Sequence, residues 1–243
     1  MKNILILGAN SDMGIALARL YASQKFNVML ASRGVSQLQA IKNDLQIRYN
    51  TQVSAFEFDA CKYESHKKFF EELTYRPDIT ICFFGYLGDQ KIAESNWEEA
   101  QRIINTNFTG AVSILNIIAN AYELQQSGVI VGVSSVAGDR GRQSNYIYGS
   151  AKAGFTAYLS GLRNRLFHAN VHVMTVKPGF VNTKMTDGLK LPKPITAQPD
   201  QVAKSIIHGI NKKKNIIYVL WMWRWIMVII TLIPEFIFKK LKM

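Results

Sequence analysis

Cysteine and proline are scarce in this 243-residue chain, and each shortage excludes a class of protein. The two cysteines, Cys61 and Cys82, provide neither a disulfide framework nor the spacing of a metal site, so no metal is expected. All six prolines lie beyond residue 76, and the sequence lacks internal repeats, low-complexity tracts and Pro/Gly/Ser-rich linkers. The chain is therefore expected to fold as one domain in a reducing compartment, the cytoplasm.

Acidic residues are also few, since 17 Asp and Glu face 29 Lys and Arg and leave a formal net charge of +12. Beyond solubility, this balance favours an anionic cofactor, an anionic substrate or an acidic membrane surface. Nucleic acid is not expected, because no recognised binding motif accompanies the charge. The apolar run at residues 4–7 is too short for a signal peptide and is expected to be a first strand.

A glycine-containing turn follows that first strand, with the sequence Gly8-Ala9-Asn10-Ser11-Asp12-Met13-Gly14. Glycines at such a turn allow the backbone to approach a pyrophosphate, which binds the amides at the start of the next helix. The spacing departs from Gly-x-Gly-x-x-Gly, so an ordinary strand-to-helix turn is the alternative.

Arg33, after the second strand, can bind a 2'-phosphate through two hydrogen bonds, which favours NADP(H) and leaves NAD(H) possible. A solvated arginine is the alternative there.

Apolar runs and helical patterns alternate along the rest of the chain to residue 220. This alternation predicts an α/β fold, a Rossmann-type doubly wound parallel sheet in a single domain of residues 1–220. The tail, residues 221–243, is expected to form an apolar helix with a basic end. The predicted strands are Ile4–Leu7, Val28–Ala31, Val53–Phe58, Ile79–Phe84, Val129–Val133, Val171–Val176 and Ile216–Leu220.

Ser135, Tyr148 and Lys152 form the candidate catalytic set. Tyr148 and Lys152 are four residues apart and share one helix face. An ammonium beside a phenol favours the phenolate, so Lys152 is expected to lower the pKa of Tyr148 toward neutrality and fit it for proton exchange with a carbonyl. Ser135 lies 13 residues upstream at the exit of a buried strand. Two other Tyr-x-x-x-Lys pairs lack such a serine and are expected on helix surfaces: Tyr21 with Lys25, and Tyr63 with Lys67.

Asn107 is a poor helix former in the middle of a predicted helix from Trp97 to Leu124, so it either bends the helix or binds something inside. A satisfied buried amide is the alternative. Asp59 is expected at the edge of an adenine. The segment after the sixth strand, from Pro178-Gly179 through Val181 to Thr183, turns the chain sharply and brings the Thr183 hydroxyl toward a carboxamide.

Together these motifs resemble the short-chain dehydrogenase/reductase family over residues 3–220. The resemblance implies hydride transfer to or from a nicotinamide. Tyr148 would protonate the carbonyl oxygen, Ser135 would polarise it, Lys152 would hold the nicotinamide ribose, and Asn107 would anchor a water that relays protons. The residues expected to bind the cofactor are Gly8, Ser11, Asp12, Met13, Gly14, Arg33, Asp59, Gly85, Tyr148, Lys152, Pro178, Gly179, Val181 and Thr183.

Two departures from the family pattern narrow the resemblance. Asp12 stands where the family usually has its middle glycine, and Phe83-Phe84-Gly85-Tyr86 replaces the usual Asn-Asn-Ala-Gly. The string from Gly85 to Gln90, together with the tail, is similar to the branch containing decaprenylphosphoryl-2-keto-ribose reductase. That branch implies a lipid-linked keto-pentose in cell-envelope polysaccharide synthesis and a flavin oxidase that supplies the ketone, and the family as a whole implies a homo-oligomer. Another hydrophobic carbonyl (3-oxoacyl, retinoid or steroid) and a non-catalytic dinucleotide-binding regulator are the alternatives.

The tail has one charge, Arg224, between residues 215 and 234, and it contains three tryptophans. Its length would allow a membrane span. Against a span stand the strand at residues 216–220, the arginine at depth, and Pro234 with Glu235. Tryptophans and the terminal lysines suit a helix lying on an anionic membrane surface, which places the protein peripherally on the inner face of the cytoplasmic membrane. A buried oligomer contact is the alternative.

Overall fold

The computed structural model describes residues 2–188 and 191–242. Met1, Leu189 and Lys190, which belong to the predicted domain, and Met243 of the tail lie outside the described residues. Strands and helices alternate along the chain as the apolar runs predict. The strands are β1 (Asn3–Leu7), β2 (Asn27–Ser32), β3 (Val53–Glu57), β4 (Ile79–Cys82), β5 (Gly128–Val133), β6 (Val171–Pro178), β7 (Phe180–Val181), β8 (Thr196–Ala197) and β9 (Ile216–Val219).

Helices connect these strands and cover both faces of the sheet. They are α1 (Asp12–Ser23), α2 (Val35–Tyr49), α3 (His66–Glu71), α4 (Gln90–Ala93), α5 (Trp97–Ile104), α6 (Gly110–Gln125), α7 (Tyr146–Leu166), α8 (Pro199–Asn211), α9 (Met222–Leu232) and α10 (Glu235–Phe238).

Seven strands form one sheet in the order β3-β2-β1-β4-β5-β6-β9, and every neighbouring pair in it is parallel. The predicted single-domain, doubly wound α/β fold is therefore confirmed. The order reverses between β1 and β4, so the loops after these two strands separate and leave a crevice at their carboxyl ends. The strands β7 and β8 form a second, two-stranded parallel sheet that sequence patterns did not indicate.

Two hydrophobic cores lie on opposite faces of the sheet, and β1 contributes to both. Ile4 and Ile6 join the core with α1, α2 and α8, while Leu5 and Leu7 join the core with α6 and α7. Because helices cover both faces, successive residues of the inner strands are buried, as at Ile4–Leu7 of β1 and Ile79–Cys82 of β4. This explains the near-continuous apolar runs in the sequence.

The long helix expected from Trp97 to Leu124 contains an irregularity at the predicted place. Helices α5 and α6 are joined by a π-helical turn over Asn105–Thr109, and Asn107 is buried within it. Of the two other Tyr-x-x-x-Lys pairs, the first was predicted wrongly as helix surface, because Tyr21 is buried in a core and Lys25 lies beyond the end of α1. These pairs have no part in the crevice.

The tail forms two short helices, α9 and α10, rather than the single helix expected. Pro234 separates them, since a proline lacks the amide hydrogen that continuation of the helix would need. Trp223, Met227 and Ile230 are buried on the inner face of α9 and pack with Val136. Among the described residues, no helix combines the length and apolar character that crossing a bilayer requires.

Candidate active site

The glycine turn after β1 holds the backbone close to the loop after β4. Gly8 has φ +84°, and a Cβ there would lie 2.6 Å from the amide nitrogen of Phe84. Ser11 caps α1, because its hydroxyl accepts from the Gly14 amide at 3.0 Å and donates to the Gly8 carbonyl at 2.8 Å. The turn thus presents backbone amides at a helix start, as a phosphate site requires.

A cleft of about 480 Å³, called the Arg33 cleft here, opens beside this turn. Gly8, Ser11, Arg33, Asp59 and Gly85, all among the residues predicted to bind the cofactor, line it. Asp59 is fixed by the Cys61 amide, which donates to its Oδ1 at 3.0 Å. The other lining residues are Asn10, Ser32, Gly34, Gln37, Phe58, Ala60, Cys61, Phe84 and Thr106.

The Arg33 cleft has the chemistry of a nucleotide 2'-phosphate site. The Ser32 hydroxyl oxygen is buried and has no hydrogen-bond partner among the residues that the structure describes, while the neighbouring Arg33 is exposed. Both groups can donate to an anionic oxygen, and a buried hydroxyl without a partner is costly unless a ligand satisfies it. The glycine turn and this pair fit a phosphorylated dinucleotide.

A second cavity, called the Tyr148 cavity, measures about 180 Å³ and brings Ser135, Tyr148 and Lys152 together. Gly85 lines both cavities, so the two adjoin. Five more residues predicted to bind the cofactor also line the Tyr148 cavity: Met13, Pro178, Gly179, Val181 and Thr183.

Lys152 is buried, and its Nζ donates to the Val133 carbonyl at 3.1 Å. Burial lowers the pKa of Lys152 to about 8. The Nζ lies 5.8 Å from the centre of the Tyr148 ring. Burial raises the pKa of Tyr148 to about 12, and the Ser135 hydroxyl opposes that rise. The expected lowering of the phenol pKa by Lys152 is therefore wrong for this arrangement, because desolvation of the phenolate dominates.

The raised pKa of Tyr148 predicts the pH dependence of turnover. Between pH 6 and 8 the phenol stays protonated, so carbonyl reduction is expected to be flat. Alcohol oxidation needs the phenolate and should rise about tenfold per pH unit. Initial rates in both directions at saturating cofactor measure this, in a window below the Lys152 pKa of about 8. A reduction rate that falls while oxidation levels off would show a phenol pKa near neutrality.

Asn107 is a satisfied buried amide, the alternative raised for it from the sequence. Its Nδ2 donates to the Tyr86 carbonyl at 2.6 Å and to the Ile103 carbonyl at 2.8 Å, and its Oδ1 accepts from the Tyr86 amide at 3.2 Å. A Cβ on Gly85 would meet Asn107 Oδ1 at 2.9 Å and Lys152 Nζ at 3.5 Å. Asn107 therefore fixes the Gly85-Tyr86 segment behind the cavity, which makes it a positioning residue in this arrangement.

Two residues predicted to bind the cofactor line neither cavity. The Asp12 carboxylate accepts from the Lys184 amide at 2.8 Å, so it ties the glycine turn to the segment after β7. Gly14 lies inside the first turn of α1, where a Cβ would approach the Gly8 carbonyl oxygen to 2.9 Å. Its role is close packing of the turn rather than direct lining of a cavity.

Among the residues of the Tyr148 cavity that sequence reasoning missed are three with polar side-chain groups: Arg142, Asn145 and Trp223. Trp223 comes from the tail. Its Nε1 donates to the Ile195 carbonyl at 2.9 Å, and its ring contacts Phe180 at 5.3 Å between centres. The tail tryptophans were visible in the sequence, but their pattern did not show which of them faces inward.

Arg140 ties the tail to the loop that follows Ser135. Its guanidinium donates to the Ile230 and Ile233 carbonyls, each at 2.6 Å, at the end of α9, where cationic donors satisfy free carbonyls. It also pairs with Glu235 at 2.9 Å and lies 3.7 Å over the Phe238 ring. The tail is thus joined to the catalytic loop by polar bonds as well as by apolar packing.

A parallel doubly wound sheet, a glycine turn at its switch point and a Ser-Tyr-Lys cavity define a nicotinamide-dependent oxidoreductase. The model of the short chain dehydrogenase family matches residues 2–193. An uncharacterized oxidoreductase of Mycobacterium tuberculosis is 34% identical over 98% of this chain and 96% of its own, and one of Streptomyces coelicolor is 33% identical over 99% and 96%. The chain belongs to the short-chain dehydrogenase family.

Solved structures agree on the fold. A short-chain dehydrogenase from Sphingobium yanoikuyae, solved in complex with NADPH, superposes with a TM-score of 0.83 at 20% identity and covers 97% of each chain. The family uses NAD(P), so the protein is an NAD(P)-dependent oxidoreductase that acts on CH–OH and C=O groups.

Proposed function

We propose that this protein is an NADPH-dependent ketoreductase that acts on a polyprenyl-phosphate-linked keto-pentose in cell-envelope polysaccharide synthesis. One observation carries the proposal: Trp223, on the apolar tail, forms part of the wall of the Tyr148 cavity. The catalytic centre and a large apolar surface thus share one element, an arrangement that suits a lipid-linked substrate and equally another hydrophobic carbonyl, so the substrate comparison below decides between them. The direct test is NADPH consumption with a prenylphosphoryl keto-pentose, set against a 3-oxoacyl thioester.

The residues of the Tyr148 cavity would perform the reduction as follows. Bound NADPH supplies the hydride. Tyr148 donates its proton to the carbonyl oxygen, for which a pKa of about 12 keeps it ready at physiological pH. The Ser135 hydroxyl donates a hydrogen bond to the same oxygen and polarises it. Lys152, which is buried and donates to the Val133 carbonyl, would hold the nicotinamide ribose.

Arg33 supports the preference for NADPH over NADH. Replacing Arg33 by alanine should raise the Kd of NADPH about 10- to 100-fold, because a charge-assisted contact to the 2'-phosphate is lost, and should change the Kd of NADH little. Titration of cofactor fluorescence measures both constants. Arg48→Ala is the control, since Arg48 pairs on the surface with Asp44. Equal weakening of both cofactors would contradict the assignment.

The outer face of the tail supports a peripheral membrane location on the inner face of the cytoplasmic membrane. Trp221 is 73% exposed and Trp225 59% exposed. Lysines 239, 240 and 242 are exposed beside this face. Aromatic rings and lysines together suit the interface of an anionic bilayer. The other large apolar residues exposed on the tail are Val228, Ile229, Leu232, Phe236, Ile237 and Leu241.

Flotation with lipid vesicles tests this location. The protein should float with vesicles that contain phosphatidylglycerol and far less with phosphatidylcholine alone. Trp221→Ser combined with Trp225→Ser and Ile229→Ser should reduce the bound fraction at least about tenfold, since each apolar side chain leaves the lipid. The matched triple serine variant at Ile47, Leu124 and Phe167, which are exposed elsewhere, should float normally. A protein that stays with the soluble fraction in every case would contradict the proposal.

The proposed pathway implies partners. A flavin oxidase would supply the ketone. Inverting the configuration of a sugar carbon by redox chemistry takes two steps, oxidation of the alcohol to a ketone and then reduction of that ketone, and this protein would perform only the second. The protein would act as a homo-oligomer, and cyclic symmetry is the usual arrangement of subunits in such oligomers. If the tail covers a second copy instead of lipid, sedimentation of the triple serine variant would show dissociation of the oligomer.

A further inference from the structure

We propose that Arg142 and Asn145 form a subsite for the sugar phosphate of the substrate, next to the carbonyl held by Tyr148: Arg142 binds the phosphodiester and Asn145 accepts from a sugar hydroxyl. The inference rests on the proposed function and deepens it, because it assigns the group that reads the phosphate. Both side chains line the Tyr148 cavity, and both lie on the segment between Ser135 and Tyr148. The cavity therefore presents a cation and an amide within one small volume of about 180 Å³.

The buried part of the Arg142 guanidinium has no hydrogen-bond partner among the described residues. Its Nε is buried and has no hydrogen-bond acceptor among the residues that the structure describes. Burial lowers the pKa of Arg142, but arginine starts so far above neutrality that the guanidinium stays charged. A buried donor without an acceptor costs free energy that an anionic ligand would recover.

The acid in the sequence nearest to Arg142 is engaged elsewhere. Asp139 is bound by the Lys177 ammonium, and its other oxygen accepts from the Tyr218 hydroxyl at 2.9 Å. Lys177 and Asp139 are both almost buried, with side chains 10% and 9% exposed. Asp139 still acts on Arg142 at longer range, since its charge raises the Arg142 pKa against the effect of burial. Among residues 2–188 and 191–242, however, Arg142 forms no salt bridge, and Asp139 is already paired with Lys177.

The Asn145 side chain also lacks a hydrogen-bond partner within the described chain. It occupies the position before α7, where an asparagine commonly caps the helix, but its side chain makes no capping hydrogen bond. Its Oδ1 is buried without a partner within the described chain. The Asn145 Oδ1 can accept a hydrogen bond from a sugar hydroxyl, and the Arg142 guanidinium can donate to an anionic oxygen, so the two side chains suit a sugar phosphate better than an acyl chain.

The small size of the Tyr148 cavity means that the substrate carbonyl and the substrate phosphate must lie close together to be bound in it. A ligand whose carbonyl oxygen reaches Tyr148 places the substituents of the adjacent carbon within the same small volume. In an anomeric phosphodiester of a 2-keto-pentose, phosphate and carbonyl are attached to neighbouring carbons. A 3-oxoacyl thioester carries no charge so close to its carbonyl. An anion at this position therefore distinguishes the proposed substrate class from the alternative.

Paired substrates test the subsite. Two substrates are measured, a prenylphosphoryl 2-keto-pentose and the neutral methyl glycoside of the same keto-sugar. Each is tested with the wild-type protein, Arg142→Gln, Arg142→Lys and the surface control Arg48→Gln. For Arg142→Gln, the ratio of kcat/KM for the phosphodiester to kcat/KM for the glycoside should fall about 30- to 100-fold. Arg142→Lys should recover part of that ratio, since it restores the charge without the planar fork. Calorimetry with diethyl phosphate gives a readout independent of turnover.

Each outcome of these measurements either supports or overturns the Arg142 subsite. A lower ratio in Arg142→Gln, with loss of diethyl phosphate binding, supports the subsite. An equal fall of kcat/KM for both substrates would make Arg142 merely structural and overturn it. If the wild-type protein reduces neither sugar, the proposed function fails. The subsite then stands only if the wild type binds diethyl phosphate and Arg142→Gln does not, and absence of binding to the wild type overturns it as well.

Discussion

Replacing Tyr148 by phenylalanine is expected to lower kcat for carbonyl reduction about 10³-fold or more and to leave NADPH binding unchanged. The substitution removes only the phenol oxygen, and general acid catalysis contributes about 10²- to 10⁴-fold to such a step. The ring stays, so the packing of the cavity wall is retained. Steady-state rates measure kcat, and quenching of protein fluorescence by NADPH measures its Kd.

Tyr158→Phe is the matched control for this variant. Tyr158 lies on the same helix, α7, and its hydroxyl donates to Asn116 at 2.8 Å, away from the catalytic cavity. Its rate should equal that of the wild-type protein. A Tyr148→Phe variant that keeps a rate within tenfold of the wild type would remove Tyr148 from the role of proton donor.

Replacing Trp223 by alanine is expected to lower the free energy of unfolding by about 3–5 kcal/mol, as for other buried aromatic residues. The Trp223 side chain is only 3% exposed, and its removal leaves a hole between Phe180 and Gly179. It also frees the Ile195 carbonyl from its hydrogen bond. Since a domain is typically stable by about 5–15 kcal/mol, this loss would be a large share of the total.

Urea denaturation of matched variants checks this expectation. Trp221→Ala, two residues away on the exposed side, should change the free energy of unfolding by no more than about 0.5 kcal/mol. Trp223→Phe should recover part of the stability, and its KM for a carbonyl substrate should lie nearer to that of the wild type than the KM of Trp223→Ala does. Equal stability of Trp223→Ala and Trp221→Ala would show that the tail is not part of the folded body.

The sheet was predictable from sequence because its determinants are local. The run Ile4–Leu7 is apolar at every position, as strands covered on both faces require, and the glycine at position 8 marks the turn that follows β1. The spacing of Ser135, Tyr148 and Lys152 placed all three in one cavity, as the structure shows. A strand end and a helix start in a parallel sheet meet at the same edge, so order along the chain was sufficient.

The rest of the site depends on contacts distant in sequence. Arg140 reaches carbonyls 90 and 93 residues further along the chain, and no local pattern indicates such a bond. The pKa of Tyr148 was predicted in the wrong direction because the spacing to Lys152 shows proximity but not desolvation. The tail was expected as one helix with an apolar surface, whereas one of its tryptophans is built into the cavity wall. Burial and orientation are properties of the folded chain that periodicity alone did not supply.

The most direct test of the account is loss of NADPH absorbance when the purified protein is offered a prenylphosphoryl 2-keto-pentose, beside a 3-oxoacyl thioester and NADH as controls. The account predicts rapid consumption of NADPH with the keto-pentose, little with the thioester, and slower turnover with NADH. Tyr148→Phe should abolish the signal. Turnover of the thioester alone would contradict the proposed substrate class, and no turnover of either carbonyl by the wild-type protein would contradict the assignment as a ketoreductase of this kind.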